Sequence, residues 1–116
     1  MTTEGVRAEL DADRQRTVAQ IAALSAVIDD VVASQADVAT DDEHDPEGAT
    51  IAFERQRVAA LLDRARDHLS ALDAAAARLD AGTYGGCERC GKPIGAERQA
   101  ARPAAATCIS CAASSG

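Results

Sequence analysis

Aromatic residues are almost missing from this 116-residue chain: there is no Trp, one Tyr (Tyr84) and one Phe (Phe53), together 2% of the whole. A core of several stacked layers draws its bulk from aromatic rings, so their absence argues against a β-sandwich and for something thin. Lysine is also scarce. Eleven of the twelve basic residues are Arg and only Lys92 is Lys, while nineteen acids bring the formal net charge to −7. That balance argues against a general nucleic-acid binder, whose affinity comes from cations neutralising phosphates, and suits a chain that meets a basic protein surface. No segment approaches the roughly 18 apolar residues that a membrane span requires. The opening MTTEGVRAELDADRQR has no basic region followed by an apolar run, so no secretory signal is read there. A cytoplasmic protein with no membrane partner is expected.

Proline and glycine are absent, Gly5 apart, from two long stretches, residues 3–39 and 50–79. Alanine is abundant there, which suits helices packed closely through small side chains. In the first stretch Leu10, Ile21, Leu24, Ile28 and Val31 fall at three-four spacing on one helical stripe. The stripe is weak at its start, where Arg14 and Thr17 stand at positions that should be apolar. The second stretch is clearer: Ile51, Val58, Ala65, Leu72 and Leu79 recur every seven residues, with Leu62, Leu69 and Ala76 as the companion row. Two rows at heptad spacing mark a coiled-coil seam. Between the stretches, Asp45-Pro46 and Gly48 are read as a helix break, with Thr50 as the cap of the second helix and Glu54 close to the capping-box position. The chain is therefore expected to be mostly α, with residues 1–81 forming an antiparallel two-helix coiled-coil hairpin. Its tip, near 41–49, carries Asp41, Asp42, Glu43, Asp45 and Glu47. A charge run of this kind is most often a solvated loop.

From Gly82 onward the character changes. Gly82, Gly85 and Gly86 end the helix, and residues 82–116 have too few large apolar groups to fold by burial. This segment also holds all four cysteines, as Cys87-x-x-Cys90 and Cys108-x-x-Cys111 with seventeen residues between the pairs. In a reducing compartment disulfides seldom persist, and a redox pair usually occurs once, at a helix start in a βαβ context that is missing here. Two Cys-x-x-Cys pairs at this separation supply the four corners of a tetrahedral zinc site. Four thiolates leave no position open for water, so one structural Zn²⁺ on Cys87, Cys90, Cys108 and Cys111 is expected, in a small four-cysteine zinc-finger module. No catalytic residues are assigned.

A heptad hairpin with an acidic tip followed by "GTYGGCERCGKPIGAERQAARPAAATCISC" resembles the DksA/TraR family of bacterial regulators. The run from Gly82 to Pro103 is similar to that family's zinc-finger signature, and "DDEHDPEGATIAFER" to the hairpin turn of its short members. The resemblance implies a non-enzymatic transcription regulator that binds RNA polymerase directly. Its zinc end would rest at the rim of the secondary channel and its coiled-coil tip would reach inside to modulate initiation. A monomer without direct DNA binding is implied. Of the family's tip motif Asp-x-x-Asp-x-Ala, Asp45 matches the first Asp, whereas Gly48 and Thr50 replace the other two residues. Asp42, Glu43 and Asp45 are then the candidate regulatory tip. Arg102 matches one of three cations that hold ppGpp in some members, and with the nearby Arg98 it is the candidate contact to polymerase or nucleotide. The other two cation positions fall on Ala71 and Ala112. One cation forfeits most of the charge-assisted bonds of three, which disfavours ppGpp as a ligand. The chain continues only five residues beyond Cys111, so the docking contacts that longer members make with a C-terminal helix are expected to be absent.

Two further readings stay open on the sequence. A Gre-like transcript-cleavage factor also offers acidic residues on a hairpin, there holding a catalytic Mg²⁺, but it lacks the cysteine module. A zinc-ribbon nucleic-acid-binding protein would need more cations and stacking rings than Arg89, Lys92, Arg98, Arg102 and Tyr84 provide.

Overall fold

The computed structural model describes residues 2–38 and 46–114. Among them are four helices in chain order, α1 (Thr3–Val38), α2 (Pro46–Ala81), α3 (Ala96–Ala101) and α4 (Ile109–Ser114). No strand is present among the described residues, only an isolated antiparallel bridge between Gly86 and Pro93. None of the helices is long and apolar enough to cross a membrane. The mostly α reading holds: two long helices followed by a short four-cysteine segment.

The residues gather into two compact units, one of Met1–Arg16 with His68–Gly116 and one of Thr17–Asp67. In the first, Val6, Leu10, Leu72 and Ala75 form a buried cluster, against which Ala76, Leu79, Tyr84 and Ala104 pack. Three contacts across the two helices show their opposed directions. Arg7 bonds Asp80, Arg14 bonds Asp73 at 2.8 Å, and His68 lies 3.1 Å from Asp13. From Arg7 to the Asp13–Arg14 pair the number on α1 rises while the partner's falls from 80 to 68 and 73, the mark of an antiparallel pair. Exposed pairs of this sort are screened by solvent and contribute little, so they select register more than they add stability.

In the second unit Val58, Leu62 and Ala65 are buried on α2, and Thr17 is buried on α1. Ile21, Leu24, Ile28 and Val31 are half-buried, so the three-four stripe read from the sequence is the packed one. Its weak start has a different composition from the reading above. Arg14 lies outside the seam, half-exposed and bonded to Asp73, and the neighbouring Asp13 turns partly inward toward His68.

The start of α2 is a correction. Helix begins at Pro46, not after a break with Thr50 as cap, so Gly48 and Thr50 are helical. Proline stops a helix only where its missing N–H was needed. In the first turn that donor has no intrahelical partner anyway, and the fixed φ suits helix entry. At the other end Gly82, at φ 78°, closes α2: its N–H reaches Leu79 O at 3.2 Å and the Thr83 N–H reaches Arg78 O at 2.9 Å. This is the paired bonding of a Schellman cap, which needs a left-handed residue and so favours Gly. The acidic residues Asp42, Glu43 and Asp45 lie outside the described residues.

Candidate metal centre

The first cysteine pair is held by a tight turn. The Gly91 N–H donates to Cys87 O at 2.9 Å, and the Cys87 N–H donates to Lys92 O at 2.8 Å. Gly91 sits at φ 75°, which a side chain would disfavour. The Gly86–Pro93 bridge and the Ile94 N–H to Gly85 O bond (2.9 Å) continue this ribbon, and the Ile94 side chain is buried at 6% exposure. The second pair uses a helix. Cys108 stands just before α4 and accepts the Ala112 N–H at 2.9 Å, while Cys111 lies within α4. The Glu88 N–H to Ala106 O bond, 2.9 Å, ties one pair to the approach of the other.

These local turns bring all four sulfurs within 4.8 Å of one another, and Cys90 Sγ lies 3.8 Å from Cys108 Sγ. A tetrahedron with Zn–S bonds of about 2.3 Å has edges of about 3.8 Å, so the residues fit the ion. Their acid–base balance fits as well. Backbone N–H groups, first that of Cys108 and then that of Cys90, hold the Cys87 thiol down to about 6. The Cys108 thiol is also lowered, chiefly by the Cys111 N–H. Cys111, facing the sulfurs of Cys108 and Cys87, is pushed up to about 12. Four sulfurs this close cannot all ionise unless a cation shares their charge, and one Zn²⁺ supplies it. The bound ion contributes folding energy and no reactive position, since its four ligands close the shell.

A clasp joins this centre to the helix ends in the same unit. Tyr84 OH donates to Pro103 O at 2.8 Å while its ring packs on the buried cluster, and that burial raises its hydroxyl above the usual range. Arg78, with only 12% of its side chain exposed, reaches Glu88 at 3.4 Å and Ala105 O at 3.4 Å. Sequence reasoning missed Arg78 as a site residue and treated Tyr84 only as a stacking ring. The one available signal was a cation in the last turn of a helix, where it also faces the negative end of the dipole.

Arg98 and Arg102 come together beside a cavity of about 360 Å³ that Asp13, His68 and Ala71 also line. Arg98 has a structural duty: its Nε donates to Thr107 O at 2.9 Å, fixing the residue before Cys108. The Arg102 side chain is exposed, and its backbone N–H caps α3 on Arg98 O at 2.7 Å. Ala71 thus shares the cavity with Arg102, while Ala112 does not line it.

Two antiparallel helices followed by a C4 zinc centre define a hairpin-and-finger protein. Comparison with known proteins sharpens the class. The model of the prokaryotic dksA/traR C4-type zinc finger matches residues 82–115. The solved structure of transcription factor DksA2 from Pseudomonas aeruginosa is similar to the chain at 30% identity and a TM-score of 0.52, over 93% of this chain and 83% of that one. No curated protein sequence matches it. The chain belongs to the DksA/TraR family.

Proposed function

We propose that this protein is a transcription regulator that binds RNA polymerase directly and is not itself an enzyme. Residues 82–116 form the seat at the rim of the secondary channel, and residues 1–81 form the hairpin that enters it to modulate initiation. The observation that carries this reading is the likeness to transcription factor DksA2, which runs along hairpin and finger together. The net charge of −7 supports a protein partner over free DNA. In this reading the protein acts as a cytoplasmic monomer, Arg98 and Arg102 face polymerase, and ppGpp is not a strong ligand because two of its three cation positions are Ala71, which lines the cavity beside Arg102, and Ala112. Asp42, Glu43 and Asp45 carry the regulatory effect. In a confined channel their charge acts through a lower effective dielectric than at an open surface.

Two measurements test this. Purified full-length protein should capture RNA polymerase, and deletion of the tip should leave capture within a few-fold. The triple change Asp42→Asn, Glu43→Gln, Asp45→Asn should then shorten or abolish the effect on open-complex lifetime at a responsive promoter. Normal binding with unchanged regulation would show the acidic run to be a solvated turn. Stimulated transcript cleavage in backtracked complexes would favour the Gre-like reading instead.

A further inference from the structure

Phe53 is 77% exposed, the most exposed large apolar side chain among the described residues, and it is the chain's one phenylalanine. Its place on α2 is outward. Val58, Leu62 and Ala65 mark the buried seam, and at 100° per residue Phe53 projects from the side away from them. Residues four, seven and eleven positions on share its stripe: Arg57, Ala60 and Arg64, all exposed. From Phe53 to Arg64, about 16 Å at 1.5 Å per residue, no carboxylate stands on this stripe, and the next residue along it is the exposed Asp67. Arg57 is held by Glu54 through two bonds, at 3.2 and 2.6 Å. Arg64 has no ion-pair partner among the described residues. In a chain of net charge −7, an aromatic ring followed by an unpaired guanidinium is a local reversal of character. Phenylalanine at this position adds nothing to the hairpin's own core, and Ala would be the better helix former.

We infer that the Phe53–Arg64 stripe is a docking face, in which Phe53 inserts into an apolar socket of a protein partner and Arg64 meets an acidic group beside it. The inference rests on the reading that the partner is RNA polymerase, and it names a contact on the flank of α2, separate from the acidic tip and from the zinc finger. The charge pattern selects the partner's chemistry: the socket is apolar and its rim is negative. An exposed aromatic and an Arg are the two residue types that dominate interface energetics when desolvated. Burying a Phe side chain is worth about 1.5–3 kcal/mol, which corresponds to about 10- to 150-fold in affinity.

The test is direct binding of full-length protein to the cognate bacterial RNA polymerase, with circular dichroism and sedimentation in parallel. Phe53→Ala should weaken binding at least tenfold and Phe53→Leu should restore part of it. Arg64→Glu should weaken it several-fold, with a smaller loss at high salt. Helicity and melting temperature should be unchanged in all three, because the side chains are exposed. Val18→Ala, on an exposed position of α1, should bind like the parent. If the parent binds polymerase and Phe53→Ala binds equally well, the docking face is wrong and the proposed function stands. If the parent does not bind polymerase, both fall. Parent protein that self-associates and becomes monomeric on Phe53→Ala would identify the face as a contact between copies and overturn the inference.

Discussion

The middle of the sequence and its cysteine-bearing segment are held together by different means. Along 17–67 the packing is one-dimensional: Val58, Leu62 and Ala65 on α2 meet a stripe of single side chains on α1, and each contact depends on the helical period. Around the cysteines almost nothing is periodic. Order there comes from turns, three small helical or bridged pieces and one metal ion, and the buried residues are only Cys87 and Ile94. A periodic seam can lose one residue and stay folded, because its neighbours still pack. A four-ligand centre loses everything with one ligand. The contrast teaches that equal-looking substitutions should have very unequal reach in the two regions.

The largest break follows from this. Cys90→Ser removes one corner of the site, and a structural zinc in a small module contributes on the order of 10 kcal/mol or more. We expect loss of stoichiometric zinc by elemental analysis and loss of order from about Tyr84 onward, with most helical circular dichroism retained. Since Cys111 stands at about 12 before a cation is shared, reloading the parent at neutral pH should release protons, measurable as a dependence of calorimetric heat on buffer. Metal-free parent protein purified under reducing conditions, folded and inert to chelator, would contradict the whole scheme.

Next comes the apolar seam. Leu72→Ala, at a position 1% exposed inside the buried cluster, should cost about 2–5 kcal/mol of stability. Leu62→Ala, at 7% exposed in the thinner seam, should fall at or below the low end of that range, because fewer atoms surround the space it leaves. Denaturant midpoints decide this, and equal losses would mean that the two regions pack alike.

This difference also explains how far the sequence could be read. The α2 heptads were legible because Val58, Leu62 and Leu72 are bulky and regularly spaced, and the metal ligands were legible because the two Cys-x-x-Cys pairs report local geometry directly. The start of the α1 seam was not legible. Asp13 and Arg14 are adjacent, both polar, and only the packed helices show that Asp13 turns toward His68 while Arg14 reaches Asp73. Pro46 misled for a specific reason: the same residue ends a helix in its interior and opens one in its first turn. Ala75, fully buried at 0% exposure, carries no signal of its own among so many alanines. Arg78 and Tyr84 act on residues 10 to 27 positions away, and such contacts exist only after the glycines have turned the chain back.

A smaller effect sharpens the comparison at its boundary. Arg78→Met keeps the length of the side chain but removes the cation that reaches both Glu88 and Ala105 O. We expect a loss on the order of 1 kcal/mol and zinc removal by chelator that is several-fold faster, with the α2 helix intact. Arg78→Lys should recover part of it, since a point charge serves one partner but lacks the planar fork. Unchanged chelation kinetics would mean that Tyr84 alone anchors the finger.

The smallest effect belongs to the thin seam. Glu54 and Arg57 pair at (i, i+3) on α2, and the hydrogen bond from Arg57 holds the Glu54 carboxyl below its ordinary value. A carboxyl whose folded value is depressed adds stability above its unfolded pKa, about 4.3, and loses it as pH falls through the folded value. Glu54→Gln should therefore melt slightly below the parent at pH 7, and the gap should close on acidification past the ordinary carboxylate range. Salt should narrow the gap as well, because both side chains are exposed and screened. Melting curves for parent and variant at pH 7 and at about pH 3, each at low and high salt, contain the whole test. A gap that persists unchanged in acid would assign the effect of Glu54 to helix packing, and the pair would then carry no electrostatic share of this region's stability.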